Sequence, residues 1–195
     1  MKSKRSYSMA TRAEAAERTR RRIQEAAISC AEVHRLKDIS LDDIAGRAQV
    51  SVQTVLRHFG SKAGLVAATT DYMNRQVQSE RRAPAGDRDA AVHALVDHYE
   101  KRGRLTLLLL AQEDTDPQVQ SITAAGKRLH REWVEGVLLP DGTTDQELVD
   151  LLVVATDLYT WKLLRRDRRL SRAQTEERIN RLVVAVLSAA GREVA

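Results

Sequence analysis

The chain predicts an all-α fold: an N-terminal three-helix unit containing a helix-turn-helix, followed by a helical bundle, about nine helices in all. Three observations carry this. Helix breakers are scarce, with 3 Pro and 9 Gly in 195 residues. Hardly any window alternates apolar and polar residues strictly, as a half-buried strand would. Capping residues recur just ahead of segments whose apolar side chains follow the i, i+3, i+4 spacing of one helix face.

Taken in order, residues 1–10 read as a flexible basic arm and a first helix is expected from about Thr11 to Val33. Ile23, Ala27, Cys30 and Ala31 face inward on it, with Arg18, Arg20, Arg21 and Arg22 on and around the outer side. The single cysteine keeps step with that apolar face, which assigns it to packing rather than to metal or redox chemistry. Ser40 precedes the apolar set Leu41, Ile44, Ala45, Ala48, and Asp43 three residues on completes a capping box. Ser51 then caps a helix with Val52, Val55, Leu56 and Phe59 on its inner side. Two helices this short, joined by three residues, cross steeply, which is the helix-turn-helix at 40–59. Gly60 and Ser61 end that helix and cap another running from Lys62 to about Glu80.

Beyond the break "RRAPAGDR", further helices are expected at about Arg88–Arg102 and Leu105–Gln112, the latter ("LTLLLL") apolar all round and buried. Asp116 with Pro117 opens one to about Leu138. Thr144 with Glu147, and Ser171 with Gln174, form capping boxes for helices to about Arg165 and Ala190. The domains expected are 11–65 for the first unit and 66–195 for the bundle.

Charge is uneven along this framework. Through Lys62 there are 13 Lys and Arg against 7 Asp and Glu; beyond it, 19 against 20. A basic first third suggests a polyanion as partner for that third. With Val52, Val55, Leu56 and Phe59 inward, Gln53, Thr54, Arg57 and His58 share the outer face. Arg can pair with guanine O6 and N7, Gln with adenine N6 and N7, Thr with a thymine methyl or a phosphate, and His with a phosphate. The helix N-termini at Ser40, Ser51 and Ser61 suit phosphate oxygens, and Lys62 adds a full charge. DNA-binding candidates are therefore Ser40, Ser51, Gln53, Thr54, Arg57, His58 and Lys62.

The stretch "ISLDDIAGRAQVSVQTVLRHFGSKAGL" resembles the DNA-binding segment of the TetR family of bacterial transcriptional regulators. Ser40, Asp43, Ile44, Ala45, Ala48, Val50, Ser51, Thr54, His58, Phe59, Ser61, Lys62 and Leu65 match its pattern in place. Two positions depart from it. Gln49 stands where the family often has Gly, which costs about 1 kcal/mol if the residue is left-handed. Leu56 stands where the family often has Tyr; lacking a hydrogen-bond donor, it is left to packing or to a sugar or thymine methyl.

The resemblance implies a cytoplasmic bacterial regulator, more often a repressor, that binds a pseudo-palindromic double-stranded operator as a homodimer. It also implies release by a small-molecule effector held in the C-terminal bundle. Candidate effector-lining residues are Tyr99, Gln112, Trp133, Tyr159 and Trp161, since amphipathic aromatics and an amide can orient a mostly apolar guest. Two apolar stripes suit a four-helix dimer interface: Leu148, Leu151, Leu152 and Ala155 (with Tyr159), and Ile179, Leu182, Val183, Val186 and Leu187. No enzyme, metal or cofactor is expected, since the five histidines lack metal spacing and no phosphate-binding glycine pattern occurs. No segment reaches the 18 apolar residues of a membrane span. The rival expectation is a helical scaffold or small-molecule binder whose helix-turn-helix no longer reads DNA.

Overall fold

The computed structural model describes residues 3–192, with side chains from residue 12 onward. Among these residues the regular structure is helical throughout: α1 (Ser3–Ala31), α2 (Leu41–Ala48), α3 (Val52–Phe59), α4 (Lys62–Glu80), α5 (Arg88–Leu110), α6 (Pro117–Trp133), α7 (Gln146–Ala155), α8 (Leu158–Lys162) and α9 (Arg172–Ala189). The chain divides into two compact units, residues 1–74 and 75–195; the expected division after Leu65 falls, like this one, within α4. No helix among the described residues is long and apolar enough to cross a membrane.

In the first unit, α1 begins at Ser3, so residues 3–10 are helical rather than the loose arm expected; residues 1 and 2 lie outside the described part. The cause is local. The segment contains neither Pro nor Gly, and its Lys, Arg, Met and Ala all favour continuing a helix. Ile23, Ala26 and Cys30 of α1 are buried, as are Ile44, Ala45 and Ala48 of α2, Val55 of α3 and Leu65 of α4. Leu36 and Ile39, on and beside a single 3₁₀ turn, close this core between α1 and α2. Gln24 is buried too, and its amide donates to the Ala68 carbonyl at 2.8 Å, tying α1 to α4.

In the second unit the core is built by one face each of α5 (Ala91, Val92, Leu95, Val96, Tyr99), α7 (Leu148, Val149, Leu152, Ala155), α8 (Leu158, Trp161) and α9 (Ile179, Val183, Leu187). Trp161 is fully buried at its centre. α5 can approach it because residue 103 is glycine: a Cβ there would stand 2.7 Å from the indole ring. Trp161 Nε1–H donates to Glu100 Oε1 at 3.1 Å, so its polar edge is satisfied.

Three expected boundaries in this unit are corrected. α5 runs unbroken to Leu110 through Gly103, which is held by its packing against Trp161; "LTLLLL" is its last turns and is not buried all round, since Leu108 is exposed. α7 is capped by Asp145, which accepts from the Leu148 amide at 3.0 Å, rather than by Thr144. The single helix expected to Arg165 is cut at Thr156 and Asp157. Thr156 turns its hydroxyl back onto the Leu152 carbonyl at 2.7 Å, and Asp157 caps α8 by accepting from the Tyr159 amide at 2.7 Å. The caps at Asp87, Asp116–Pro117 and Ser171–Gln174 stand where the spacing puts them.

Candidate nucleic-acid interface

Two short helices are fixed by their caps before any tertiary contact is made. The Ser40 hydroxyl accepts from the Asp43 amide at 3.1 Å, while Asp43 Oδ2 receives the Ser40 amide at 2.8 Å and its hydroxyl at 2.6 Å. Both Ser40 bonds hold the Asp43 carboxyl below the usual carboxylate range. Ser51 Oγ accepts from the Thr54 amide at 3.2 Å and lies 3.0 Å from the Thr54 hydroxyl. Between these helices Gln49 has φ 53° and ψ 48°, the left-handed geometry that ends α2 and turns the chain into α3.

The face of α3 differs from expectation at one residue. Val55 is buried, and Val52 and Phe59 are half-buried, but Leu56 is 39% exposed and therefore does not pack inward. At eight residues α3 gives the core little more than two turns, and Leu56 lies three positions from Gln53 and one from Arg57, both exposed. The outward row is thus Gln53, Leu56 and Arg57, flanked by half-buried Thr54 and His58.

The C-terminal end of α3 is held by a residue that sequence reasoning left on the solvent side of α1. Arg20 Nη1 donates to the His58 carbonyl at 3.0 Å, and its guanidinium sits 4.5 Å from the Phe59 ring centroid. A cation at the carbonyl end of a helix is also favoured by the helix dipole. Partial burial, and then Arg57 and Arg20, push the His58 ring below its ordinary value, so it is neutral near pH 7 and donates through one N–H.

The next junction is equally constrained. Ser61 Oγ accepts from the Gly64 amide at 3.0 Å, and a Cβ on Gly64 would collide with the Phe59 carbonyl oxygen. Only glycine fits there, a requirement that the sequence pattern did not reveal. Lys62 Nζ donates to the Lys37 carbonyl at 3.3 Å, which places its charge beside the 3₁₀ turn. Ser40, Ser51, Gln53, Thr54, Arg57, His58 and Lys62 lie at the N-caps of α2 and α3, within α3, or at the start of α4, all within the first unit.

The candidates in the second unit scatter more. Tyr99 and Trp161 are buried with ring centroids 5.8 Å apart, and Trp133 is half-buried with its Nε1–H on the Arg81 carbonyl at 3.0 Å. Tyr159 is 55% exposed and points away from that core; Gln112, beyond the end of α5, donates to the Leu108 carbonyl at 2.6 Å. Of the two apolar stripes, Leu148, Leu152, Ala155, Ile179, Val183 and Leu187 are covered by their own chain and cannot meet a partner. Leu151 and Leu182 are exposed, Val186 is half-buried, and Val154, Tyr159 and Leu163 join them as large exposed apolar side chains. Helical spacing identified the stripes but not which edge of each turns outward.

Comparison with known proteins agrees with this geometry. Residues 23–69 match the model of the bacterial regulatory proteins of the tetR family. Similar solved structures include a transcriptional regulator from Rhodococcus sp. Rha1, 20% identical with a TM-score of 0.66 over 87% of this chain and 96% of that one. Another is a tetR-family transcriptional regulator from Streptomyces coelicolor, 18% identical with a TM-score of 0.67 over 90% and 82%. A third is a TetR-like transcriptional regulator from Rhodococcus sp. RHA1, 17% identical with a TM-score of 0.63 over 89% and 97%. No curated protein matches the chain significantly. The matched segment runs from the end of α1 through α2 and α3 to the start of α4, so the N-terminal unit carries a segment similar to the DNA-binding domain of the tetR family, on an all-helical fold like that of the solved regulators.

Proposed function

We propose that the protein works in the bacterial cytoplasm as a homodimeric repressor, reading a pseudo-palindromic operator and leaving it when a small molecule binds in the second unit. The observation that carries the reading is the outward row Gln53, Leu56 and Arg57, exposed on a helix whose other side is anchored by Val55 and by Arg20. Gln53 and Arg57 offer bidentate pairing to adenine and guanine, and Leu56, being apolar and exposed, suits a thymine methyl. Ser51, Thr54, His58 and Lys62 are placed for phosphates, as is the N-terminus of α2 at Ser40, although the Asp43 carboxylate already occupies that end.

A single short reader covers too few base pairs for useful selectivity, so two copies at a fixed spacing are needed. The exposed apolar residues Leu151, Val154, Tyr159, Leu163 and Leu182 support a dimer formed through α7, α8 and α9. A guest that favours one packing of this unit over another would alter the spacing of the readers.

Binding to DNA fragments flanking the gene, measured at several salt concentrations, tests the reading. A steep salt slope with strong preference for one fragment is expected, together with a loss of roughly 1–3 kcal/mol and relaxed base preference for Arg57→Ala or Gln53→Ala. Flat, weak binding to every fragment would instead favour a scaffold that no longer reads DNA.

A further inference from the structure

Arg81, directly after α4, is the least expected side chain of the second unit. It is 5% exposed, yet among the described residues no carboxylate forms an ion pair with it. Its neighbour Glu80 is already engaged, by His98 Nδ1 at 2.9 Å and by Arg102 Nη2 at 2.7 Å. What surrounds the guanidinium is neutral. Trp133 lies under it at 4.2 Å, and His130 Nδ1 meets Nη2 at 2.7 Å.

The proton positions follow from the partners. Arginine can only donate, so His130 Nδ1 accepts and Nε2 carries the hydrogen, which it gives to the Thr156 hydroxyl at 3.2 Å. Thr156 passes its own hydrogen to the Leu152 carbonyl. Among the groups of this linked set, one is left over. Arg81 Nε–H is buried and has no partner.

An isolated buried cation is costly, and neither a stacked indole nor the carbonyl end of α4 supplies a full negative charge. A guanidinium edge matches a carboxylate in both geometry and charge. One unbalanced positive charge calls for a monoanion. The aromatic side chains near it, Trp133 and Tyr99, pack against or belong to the apolar core and call for an apolar remainder.

We propose that Arg81 receives the carboxylate of an apolar monocarboxylate effector, an inference that rests on the effector-released regulator described above. Trp133 then stacks near the bound group and His130 holds the guanidinium in place.

The full chain is titrated with benzoate and octanoate, with their uncharged amides, and with sodium chloride at matched ionic strength. Thermal unfolding and the fluorescence of the two tryptophans, Trp133 and Trp161, are followed. At least one carboxylate should raise the melting temperature and change the emission, with its amide at least tenfold weaker and chloride inert. Arg81→Met, which removes the charge and keeps the volume, should weaken that response tenfold or more. Equal responses to acid and amide, an equal effect of chloride, no response to either carboxylate, or full retention in Arg81→Met would each overturn the proposal. If that variant fails to fold, the acid and amide pair on the unaltered chain decides alone. Repeating the titration on the DNA complex separates the two readings. Carboxylate binding that leaves DNA bound upholds the Arg81 site and removes effector release, whereas release by neutral compounds with no carboxylate binding does the reverse.

Discussion

The caps of the first unit and the buried polar groups of the second use polar side chains in opposite ways. In the first, the capping bonds of Ser40, Ser51 and Ser61 close within three residues of chain and lie at the surface. In the second, polar groups are buried and bridge distant segments: Arg81 to His130, Tyr99 Oη–H to the Thr156 carbonyl at 2.9 Å, Trp161 to Glu100. Local bonding leaves the outer face of α3 with no packing role and open to a partner. Long-range bonding makes the second unit a connected network, in which moving one member disturbs several helices.

Acid should expose this contrast most strongly. Burial pushes His98 down to about 4 and His130 to about 3, from an ordinary value near 6.5. Both are neutral at pH 7, so the folded state binds fewer protons than the unfolded chain as pH falls. Stability is thus fully present above about pH 6.5 and lost on the way down through 4 and 3, by several kcal/mol in total. Both tryptophans lie in the second unit, so an emission change in this window, ahead of loss of overall helicity, is the expected result.

Trp161→Ala comes next, removing the fully buried centre of that core at a cost of about 3–5 kcal/mol in denaturant unfolding. DNA-independent helicity of the first unit should persist if the units are energetically separate. Gly64→Ala strikes the first unit instead. Its Cβ meets backbone that cannot move aside, so a loss of about 1–3 kcal/mol and weaker DNA binding are expected. The smallest effect is a gain: Gln49→Gly relieves a left-handed residue and should add about 0.5–1 kcal/mol by thermal denaturation, less the greater freedom glycine gives the unfolded chain.

The same contrast explains what could be read before the structure. Ser40 with Asp43, Ser171 with Gln174 and Pro117 after Asp116 act within one helical turn, so their spacing alone located α2, α9 and α6. The cut between α7 and α8 was hidden, because Thr156 and Asp157 read as ordinary helix until the buried Thr156 is seen bonded to His130, 26 residues away in sequence. Leu56 was misplaced because helical spacing gives the direction of a side chain and not how far the core extends under it. Arg20 read as an outer-side charge of α1, and Arg81 only as part of the break after α4. Only tertiary geometry shows one clamping the end of α3 and the other sealed inside.

Because Gln53, Leu56 and Arg57 are exposed, substitutions there should cost the fold little. Under the proposed function, natural drift at these three codons rewrites the target preference while the thermostability stays level. A randomised library at those codons would yield mostly folded proteins, whereas one at Arg20 or Gly64 would not.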